Sequence, residues 1–286
     1  MKFQIRLLTP HDFEDIKDIS KDIWEGHDYL PLVFFKWLDA TGSFFGVEDI
    51  ENKKIVAVGK YSILADGSGW LEGLRVHVKY RSLGLARMIT EHALSLGFAD
   101  LDSNNIKRIG FSTHTTNIES RTMMENRNFR LVDTQLIVSK DYQASVSNLS
   151  LDDFEVTPLE ISFEEIKKFP YFKKRHPLVS YNFVHQHFTE EVFEELKSKG
   201  SFIKVNNCPA LISFKESINF QSLEEDISSI ETIGQYSHLA YYEKAADFPW
   251  TALIPSDFDL LESLKKSDYF SWEEDFKPDY LYYVYP

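Results

Sequence analysis

The start of the chain changes from one hydrophobic pattern to another. Phe3, Ile5 and Leu7 alternate with polar residues, which is typical of a strand with one buried face. Apolar residues then recur every three or four positions, and this spacing predicts an amphipathic helix. The residues on its apolar face are Phe13, Ile16, Ile19 and Ile23. Thr9 and Asp12 stand where side chains cap the start of a helix.

Helical and strand-like patterns continue to alternate through the first half of the chain. After the break EGHDYLP, the pattern predicts a helix, three strands, and then helix, strand, helix and strand. These segments are LVFFKWLD, SFFGVEDI, KKIVAVGKYSIL, GWLEGLRVHV, LARMITEHALSLGFADL, IKRIGFST, NIESRTMMENRN and FRLVDTQLIVS. The turn signal ADGSG indicates a hairpin between the second and third strands. This order of elements predicts an α+β fold with a mixed α/β sheet.

A polar, serine-rich segment, KDYQASVSNLSLDDFE, separates the two halves of the chain. We therefore expect one domain over residues 1–143 and a second α/β domain over residues 144–286. In the second half, helical patterns are followed by strand-like runs and by a closing aromatic strand. The segments are ISFEEIKKF, YNFVHQHF and TEEVFEELKSKG for helices, and SFIKVN, CPALISF and DYLYYVYP for strands. The segment LEEDISSIETIGQYSHLAYYEKAADF is ambiguous between helix and strand.

Composition narrows the classes of function. Of the 286 residues, 43% are apolar and 27% are charged, which is ordinary for a globular protein. No apolar run reaches about 18 residues, which argues against a membrane span, and the early acidic residues argue against a signal peptide. The net charge of −14 argues against nucleic acid as a partner, because phosphate binding needs clustered Lys and Arg. It is compatible with a cationic substrate, although acidity often serves solubility alone.

Cysteine and histidine positions indicate neither a disulfide nor a metal centre. Cys208 is the single cysteine, which excludes an intramolecular disulfide and favours a reducing, cytoplasmic location. Because no histidine lies near it in sequence, we expect a core thiol and not a nucleophile. His185 and His187 share one helix face only poorly, and no carboxylate completes a set of ligands. We predict no metal.

The segment KYRSLGLARM joins a predicted strand to a predicted helix. Unpaired N–H groups and the positive end of the dipole at a helix start attract anions such as a pyrophosphate. Gly84 lets a ligand approach the main chain, Ala86 keeps the next turn slim, and Arg81 adds a positive charge. The segment is neither a P-loop nor a dinucleotide fingerprint. By itself it fits either an anion cradle or a plain tight turn.

With its surroundings, this cradle resembles that of the GCN5-related N-acetyltransferase (GNAT) superfamily, whose fold has the same order of elements. The family motif Arg/Gln-x-x-Gly-x-Gly/Ala binds the pyrophosphate of acetyl-CoA, and Arg81, Gly84 and Ala86 match it. Residues 74–86 fit the strand-plus-cradle pattern as a whole. The resemblance implies acetyl-CoA as co-substrate, bound by several residues. These are Leu74, Val76, Arg81, Ser82, Leu83, Gly84, Leu85, Ala86, Asn117 and Ser120.

The second signature of the family is matched in part. Its Asn, its small residue three positions on, its apolar position and its Phe are present as Asn117, Ser120, Met123 and Phe129. Met124 stands where Tyr is common, and Asn128 stands where Gly is common. Asn tolerates left-handed backbone, so the second change is mild. The first change removes the hydroxyl that often protonates the departing thiolate, which leaves the general acid open.

A narrower resemblance, over residues 1–140, is to the histidine N-acetyltransferase-like branch of the superfamily. Gly26–Pro31 and Glu72–Val76 carry it. It implies an acyltransferase that moves the acetyl group of acetyl-CoA to a small-molecule amine. The acceptor it implies is the α-amino group of a free amino acid such as histidine.

The chemistry, attack of a neutral amine on a thioester, requires a base and a donor to the developing oxyanion. We expect Glu72 to be the base, acting through water, because an α-amine of pKa about 7.7 to 8.0 needs only a modest base. The alternative is a solvated Glu or one paired with Arg75. The Leu74 N–H is the family-style oxyanion donor if the strand bulges at Gly73. Period-two alternation would put Glu72, Leu74, Val76 and Val78 on one side of this strand.

The segment EGHDYLP is the natural lid over the substrate. We predict that Asp28 receives an ammonium group and that Tyr29 stacks on a ring or offers its hydroxyl; the alternative is a loop with Tyr29 packed inward. His114 is a candidate to replace the missing Tyr as acid, or it is a simple loop residue. A helix N-cap explains Asn117 as well as a cofactor contact does.

The second half contains no comparable cradle. We expect a degenerate copy of the same fold without cofactor, which covers the substrate cleft or forms the surface of a homodimer. Two other functions stay open. One is a CoA-binding or regulatory module that has lost its chemistry, which Met124 favours. The other is a peptide N-terminal acetyltransferase, which would need a wider cleft.

Overall fold

The computed structural model describes residues 2–181, 183–214, 218–241, 250–255, 258–271 and 276–285. By packing, the chain divides into two compact units, Met1–Phe111 with Val284–Pro286, and Ser112–Tyr283. The domain boundary between residues 143 and 144 stays a prediction.

The structure has the mixed α/β character expected from the sequence. In the described residues the strands are β1 Phe3–Leu7, β2 Ser43–Asp49, β3 Lys54–Ile63, β4 Ser68–Val76, β5 Arg108–His114, β6 Arg130–Gln135, β7 Val138–Asp141, β8 Val156–Pro158, β9 Leu178–Tyr181, β10 Val184–His187, β11 Phe202–Val205, β12 Cys208–Phe214, β13 Ile218–Ser222, β14 Trp250–Leu253, β15 Phe270–Ser271 and β16 Tyr280–Tyr285. The α-helices there are α1 Phe13–Ser20, α2 Leu30–Asp39, α3 Leu85–Asp102, α4 Ile118–Glu125, α5 Phe163–Ile166, α6 Pro170–Arg175, α7 Glu190–Ser198, α8 Ile227–Tyr241 and α9 Leu261–Lys266.

Two seven-stranded sheets organise these elements. The first has the strand order β1-β2-β3-β4-β5-β16-β6, and the second has the order β15-β7-β14-β13-β12-β11-β8. Strands β1 to β4 are antiparallel neighbours, whereas β4 and β5 run parallel. In the second sheet β13 and β14 are the corresponding parallel pair. Both sheets are therefore mixed, which confirms the predicted fold class.

In the first unit, apolar residues cover both faces of the sheet. One cluster joins α1 and α2 to the sheet, with Ile16 and Phe34 fully buried. The other joins α3 to the opposite face through Leu85, Ile89 and Ala93. The helical spacing read from the sequence thus places the predicted core residues correctly, although α1 ends at Ser20 and does not include Ile23.

Two predicted local signals have clear structural counterparts. The Thr9 N–H and hydroxyl both donate to the Asp12 carboxylate, at 2.7 and 3.0 Å, and so cap the turn that leads into α1. The predicted hairpin turn joins β3 to β4, and its Asp66 accepts the Ser68 N–H at 2.9 Å. Arg108 of β5 lies 3.2 Å from the fully buried Asp66 carboxylate. This ion pair fixes the hairpin turn against β5.

The second unit repeats the strand–helix–parallel strand arrangement of the first. Helix α8 connects β13 to β14 and packs Ile230 and Ile233 into the core of the second sheet, as α3 connects β4 to β5. The two halves of the chain therefore share this arrangement of strands and helix. Cys208 is half-buried against this core, and its thiol contacts the Asn206 carbonyl at 3.7 Å.

The start of α8 differs from the start of α3 in charge. The Ser229 N–H and hydroxyl donate to the Asp226 carboxylate, at 2.9 and 2.6 Å. Burial alone would raise the pKa of Asp226, but these hydrogen bonds outweigh it and hold the pKa below its usual value. A carboxylate of the chain thus occupies the position that an anionic ligand would take at this helix start.

Three sequence predictions of secondary structure need correction. The segment YNFVHQHF is not a helix, because Val184–His187 pair with Leu178–Tyr181 as the antiparallel strands β10 and β9, and the fully buried His185 stacks on Tyr282. The predicted strand FRLVDTQLIVS divides into β6 and β7, which lie in different sheets. The closing aromatic strand forms as β16, but it belongs to the first sheet, between β5 and β6. The ambiguous segment is helical to Tyr241, and residues 242–248 lie outside the described residues.

Replacing Asp226 tests its role as a helix cap. Asp226→Ala should lower the free energy of unfolding by about 1 kcal/mol, because two hydrogen bonds at the helix start are lost. Because the folded-state pKa is depressed, this contribution is present above the unfolded pKa of about 3.9 and fades as the pH falls below it. Urea denaturation at pH 7 and pH 3 measures both effects.

Ser228→Ala, at an exposed position on the same turn, is the control and should leave the stability unchanged. An Asp226→Ala variant as stable as the Ser228→Ala variant at pH 7 would show that the cap contributes nothing.

Candidate functional site

Strand β4 contains a β-bulge. The register pairs Arg75 with Val58 and Glu72 with Lys60, so that Gly73 and Leu74 together oppose the single residue Gly59. Gly73 has φ +71°, in the left-handed region that a glycine adopts most easily. A Cβ on Gly73 would come within 2.6 Å of the Trp37 ring. The bulge on which the predicted role of Leu74 depends is therefore present.

The bulge changes which residues share a face of the strand. Leu74 and Val76 pack with the cluster of α3, whereas Arg75 contacts Asp28, just before α2. Glu72 contacts Lys60, whose ammonium group lies over the Trp37 ring on the α2 face of the sheet. The prediction that Glu72, Leu74 and Val76 lie on one side is wrong, because the extra residue shifts the alternation by one position.

Beyond its first residues, β4 is not paired with β5. The parallel register joins residues 68–70 to residues 108–110 and extends no further among the described residues. Gly73 and Leu74 thus have a register partner on neither neighbouring strand in this part of the chain. A backbone N–H at Leu74 is consequently in a suitable place to bind a ligand oxygen.

The segment that leads into α3 presents a series of unpaired amides. Ser82 and Gly84 have φ +64° and +78°, and the first hydrogen bond of the helix runs from the Met88 N–H to the Gly84 carbonyl at 3.0 Å. Among the described residues, none of the N–H groups from Ser82 to Arg87 donates a hydrogen bond. Alternating left-handed residues before a helix form an anion-binding concavity.

The space around this segment fits a diphosphate. A Cβ on Gly84 would meet no atom within 4 Å, so the main chain faces open space there. Arg81, Ser82 and Leu83 are exposed, whereas Leu85 is buried and anchors the helix start in the core. The predicted cradle residues therefore lie together, and they fit the phosphates of acetyl-CoA, the acyl donor that the GNAT family generally uses.

Glu72 is held by two polar residues of β3. Its carboxylate accepts a hydrogen bond from the Ser62 hydroxyl at 2.9 Å and lies 3.4 Å from the Lys60 ammonium, which itself donates to Ser62. The Glu72 side chain keeps 20% of its surface exposed, whereas Lys60 is buried. The carboxylate is thus oriented by Ser62 and Lys60, and Arg75 pairs with a different residue.

Arg75 and Asp28 form a buried, bidentate ion pair. The guanidinium donates through Nε and Nη2 to the two carboxylate oxygens, at 3.1 and 3.0 Å. Asp28 also accepts from the Ser20 hydroxyl at 3.0 Å and from the Leu30 N–H at 3.3 Å, and its side chain has no exposed surface. Both oxygens of Asp28 are used within the chain.

Two aromatic rings surround this guanidinium. The Arg75 guanidinium carbon lies 4.8 Å from the centre of the Trp24 ring and 5.3 Å from that of Tyr29. Tyr29 packs inward with its edge toward Trp37, at 6.1 Å. Burial raises the pKa of Tyr29, the charge of Arg75 opposes the rise, and the charge of Glu72 adds to it. The Tyr29 hydroxyl is therefore within electrostatic reach of both charged residues of β4.

The predicted site residues from His114 onward lie in the second unit. The Asn117 carboxamide accepts the Ser120 N–H at 3.3 Å and so caps α4. Met124 is buried. Asn128, which stands where the family commonly has Gly, has φ +66° and so adopts the left-handed conformation that a Gly would take there. His114 Nδ1 contacts the Thr116 hydroxyl at 2.7 Å, and its ring lies edge-on to Tyr280 at 5.9 Å. The functional roles of His114, Asn117 and Ser120 stay predictions.

The described residues contain neither a metal-binding cluster nor a membrane-spanning helix. They hold no group of three or more His, Cys, Asp or Glu residues placed to bind a metal ion. None of their helices combines the length and the apolar character that crossing a membrane requires.

Comparison with known proteins shows what part of this chain is similar to. Residues 12–129 match the acetyltransferase (GNAT) family. The histidine N-acetyltransferase of Oreochromis niloticus is 26% identical over 152 residues, which span 53% of this chain and 43% of the relative. That of Scomber australasicus is 25% identical over 154 residues, or 54% of this chain and 44% of the relative. The matches thus span less than half the length of these curated relatives.

Solved structures extend the likeness in fold to nearly the whole chain. A GCN5-related N-acetyltransferase from Sphaerobacter thermophilus superposes with a TM-score of 0.62 at 10% identity, covering 99% of this chain and 95% of that one. A structure from Thermoplasma acidophilum gives a TM-score of 0.58 at 15% identity over 99% of both chains. Residues 12–129 thus match the GNAT acetyltransferase family, and this part of the chain is similar to the histidine N-acetyltransferases.

Sequence reasoning missed part of the site. Lys60 and Ser62, which hold Glu72, lie two positions apart and are polar residues in an otherwise apolar strand β3. This pattern is the signal that could have identified them. The contact of Asp28 with Arg75 joins residues 47 positions apart and leaves no local pattern.

Gly73→Ala tests the bulge. The substitution places a Cβ in a left-handed conformation and within 2.6 Å of Trp37, so it should lower the free energy of unfolding by about 1 to 3 kcal/mol. Urea denaturation measures this change.

Gly67→Ala is the matched control. Its φ is +76°, but its nearest neighbour is the flexible Lys107 side chain at 3.5 Å. It therefore carries the backbone strain without the clash and should be the less destabilised variant. Equal losses in the two variants would show that the contact with Trp37 does not shape the bulge.

Proposed function

We propose that this chain is an acetyl-CoA-dependent N-acetyltransferase whose acceptor is the α-amino group of a free amino acid such as histidine. The observation that carries the proposal is the pairing, within one unit, of the β4 bulge with the unpaired amides before α3. The likeness to histidine N-acetyltransferases supports the acceptor class. The single cysteine supports a cytoplasmic location as part of the same proposal.

The cradle residues would hold the acyl donor. The amides of residues 82–86 bind the diphosphate with the help of Arg81 and of the helix dipole, and the β4 backbone at Leu74 and Val76 binds the pantetheine arm. When bound, acetyl-CoA supplies an acetyl group that is activated as a thioester. The positive ends of these amides offset the charge of the phosphates in a chain of net charge −14.

Leu74 and Glu72 would perform the catalytic roles. The Leu74 N–H donates to the carbonyl oxygen on which negative charge develops, and it is held ready by the bulge. Glu72 accepts the proton of the incoming amine through water. Ser62 and Lys60 fix the Glu72 carboxylate, so that its position does not depend on the substrate.

The predicted substrate residues take different roles in this proposal. Tyr29 lines the substrate side of β4, near both Glu72 and Arg75. Asp28 was predicted to receive an ammonium group, but its four hydrogen bonds within the chain favour a positioning role, in which it holds Arg75. His114 as acid and Asn117 and Ser120 as cofactor contacts belong to the proposal in their predicted roles. The second half, in this view, covers the substrate cleft or forms a dimer surface.

Gly84→Ala tests the cradle. The new methyl group would stand where the phosphates approach, so the affinity for CoA should fall about 10-fold or more while the fold is retained. Isothermal titration calorimetry with CoA measures the affinity.

Gly200→Ala is the control, because Gly200 has φ +68° and likewise has no atom within 4 Å of an added Cβ. Gly84→Ala and Gly200→Ala carry the same backbone strain, but only Gly84→Ala should lose affinity for CoA. Equal affinities for CoA in both variants would exclude the cradle as the binding site.

Glu72→Gln tests the base. We expect kcat to fall about 100-fold or more, since general-base catalysis contributes at least that factor, while CoA affinity stays the same. Thiol release from acetyl-CoA with a panel of amino acids and amines gives the rate, and Glu48→Gln is the control. Glu48 is also a strand glutamate paired with a basic residue, in its case Arg6, and its side-chain exposure of 17% is close to that of Glu72 at 20%.

The thiol-release experiment also distinguishes the proposed acetyltransferase from its main alternative, a CoA-binding module. Met124, buried where the family commonly has Tyr, favours a module that binds CoA without chemistry. A wild-type chain that binds CoA and releases no thiol with any amine would establish that alternative. Turnover only with peptide amines would instead identify an N-terminal acetyltransferase.

A further inference from the structure

Arg75 has hydrogen-bond donors beyond those that its ion pair uses. Of the five N–H groups of the guanidinium, Nε and one on Nη2 bind Asp28, and one on Nη1 binds the Leu74 carbonyl at 3.1 Å. The Tyr29 hydroxyl is a further hydrogen-bond partner of the guanidinium, so four of the five N–H groups have partners within the chain. The remaining N–H and the Tyr29 hydroxyl, which can still donate its own proton, are two donors for the two oxygens of a carboxylate.

The surroundings of these donors are those of a binding site. The Arg75 side chain retains 14% of its surface, whereas the Asp28 side chain retains none. A hydrogen bond between a guanidinium and a carboxylate is strengthened where water is partly excluded. Asp28 fixes the plane of the guanidinium, which leaves little of its freedom to be lost on binding.

Glu72 and Arg75 face the same side of β4 because the bulge lies between them. The Arg75 guanidinium lies over the Tyr29 ring, and Lys60, which contacts Glu72, lies over the neighbouring Trp37 ring, so both residues of β4 face the α2 side of the sheet. An α-amino acid carries its amine and its carboxylate on the same carbon atom. It can therefore place the amine near Glu72 and the carboxylate near Arg75.

Trp24 adds a flat, accessible wall beside the guanidinium. Its side chain is 59% exposed, and its backbone has φ +46°, a conformation that is unusual for a bulky residue. Strained backbone of this kind concentrates at ligand-binding sites. An exposed indole at this place can stack on a planar side chain of the acceptor.

We infer that Arg75 receives the α-carboxylate of the acceptor, with Asp28 as its positioning residue, and that the site therefore selects free amino acids over the corresponding decarboxylated amines. This inference rests on the proposed function and refines its substrate class to α-amino acids with an unblocked carboxylate and a planar side chain. The competing explanation is a purely structural ion pair that holds the segment before α2.

The test compares L-histidine with histamine, which differ only by the carboxylate. Removing Arg75 alone would leave Asp28 buried without a counter-charge, so the variant is Arg75→Gln with Asp28→Asn. The matched control is Arg108→Gln with Asp66→Asn, which removes the other strand arginine that pairs with a fully buried aspartate in this unit. Arg75→Lys is a second variant, for use if the first fails to fold, because it keeps the positive charge but removes the planar guanidinium and its N–H donors.

Wild type should acetylate L-histidine with a kcat/KM about 100-fold above that for histamine. The Arg75→Gln/Asp28→Asn variant should lose most of this ratio, through KM, and Arg75→Lys should lose part of it. The Arg108→Gln/Asp66→Asn control should keep it, even if both rates fall. Parallel losses for both substrates in the Arg75 variants, or a wild type without preference, would overturn the inference.

A binding measurement separates this inference from the proposed function. Calorimetric titration of wild type and variants with L-histidine and with histamine, with and without CoA, needs no turnover. If wild type releases no thiol, the proposed function fails, while tighter binding of histidine than histamine that depends on Arg75 would still support the carboxylate site. Equal binding of the two ligands, or none of either, would exclude that site.

Discussion

The bulge of β4 is the constraint on which the rest of the site depends. Two residues, Gly73 and Leu74, stand opposite Gly59, and Gly73 allows this because it adopts φ +71° against the face of Trp37. The extra residue turns Leu74 toward α3 and brings Glu72 and Arg75 to the same face of the sheet. In a regular strand these side chains would alternate, and a base and a carboxylate receptor could not line one side. A single backbone irregularity thus serves both proposed catalytic roles and the proposed specificity.

The two halves of the chain show what distinguishes a ligand-binding helix start from a structural one. Both contain a helix that connects two parallel strands. At α3 the amides of residues 82–87 have no partner among the described residues, and Gly84 leaves open space above them. At α8 the Asp226 carboxylate binds the corresponding turn through Ser229. The same dipole is therefore satisfied internally at α8, whereas at α3 no described residue satisfies it, and there we propose that it binds the phosphates of the acyl donor.

Local signals in the sequence predicted most of the first unit and the beginning of the second. Period-two and helical spacings gave β1 to β5 and α1 to α4, and the glycine before α3 marked the cradle, because each of these depends on residues close together in the chain. Contacts between distant segments were not predictable in this way. The pairing of β16 between β5 and β6, the strand at His185 and the ion pair of Asp28 with Arg75 all depend on residues far apart in sequence. The alternation along β4 was mispredicted because a bulge moves the pattern by one residue without changing the composition.

The most direct test is a titration of ¹⁵N-labelled protein with CoA, followed by the chemical shifts of individual amides. If the cradle binds the diphosphate, the amides of Ser82 to Arg87 should shift with saturation, and so should the amide of Leu74. The amides of Ser228 and Ser229, at the capped start of α8, should stay where they are. Saturable binding that leaves the amides before α3 unmoved, or no shifts at all, would contradict this account of the molecule.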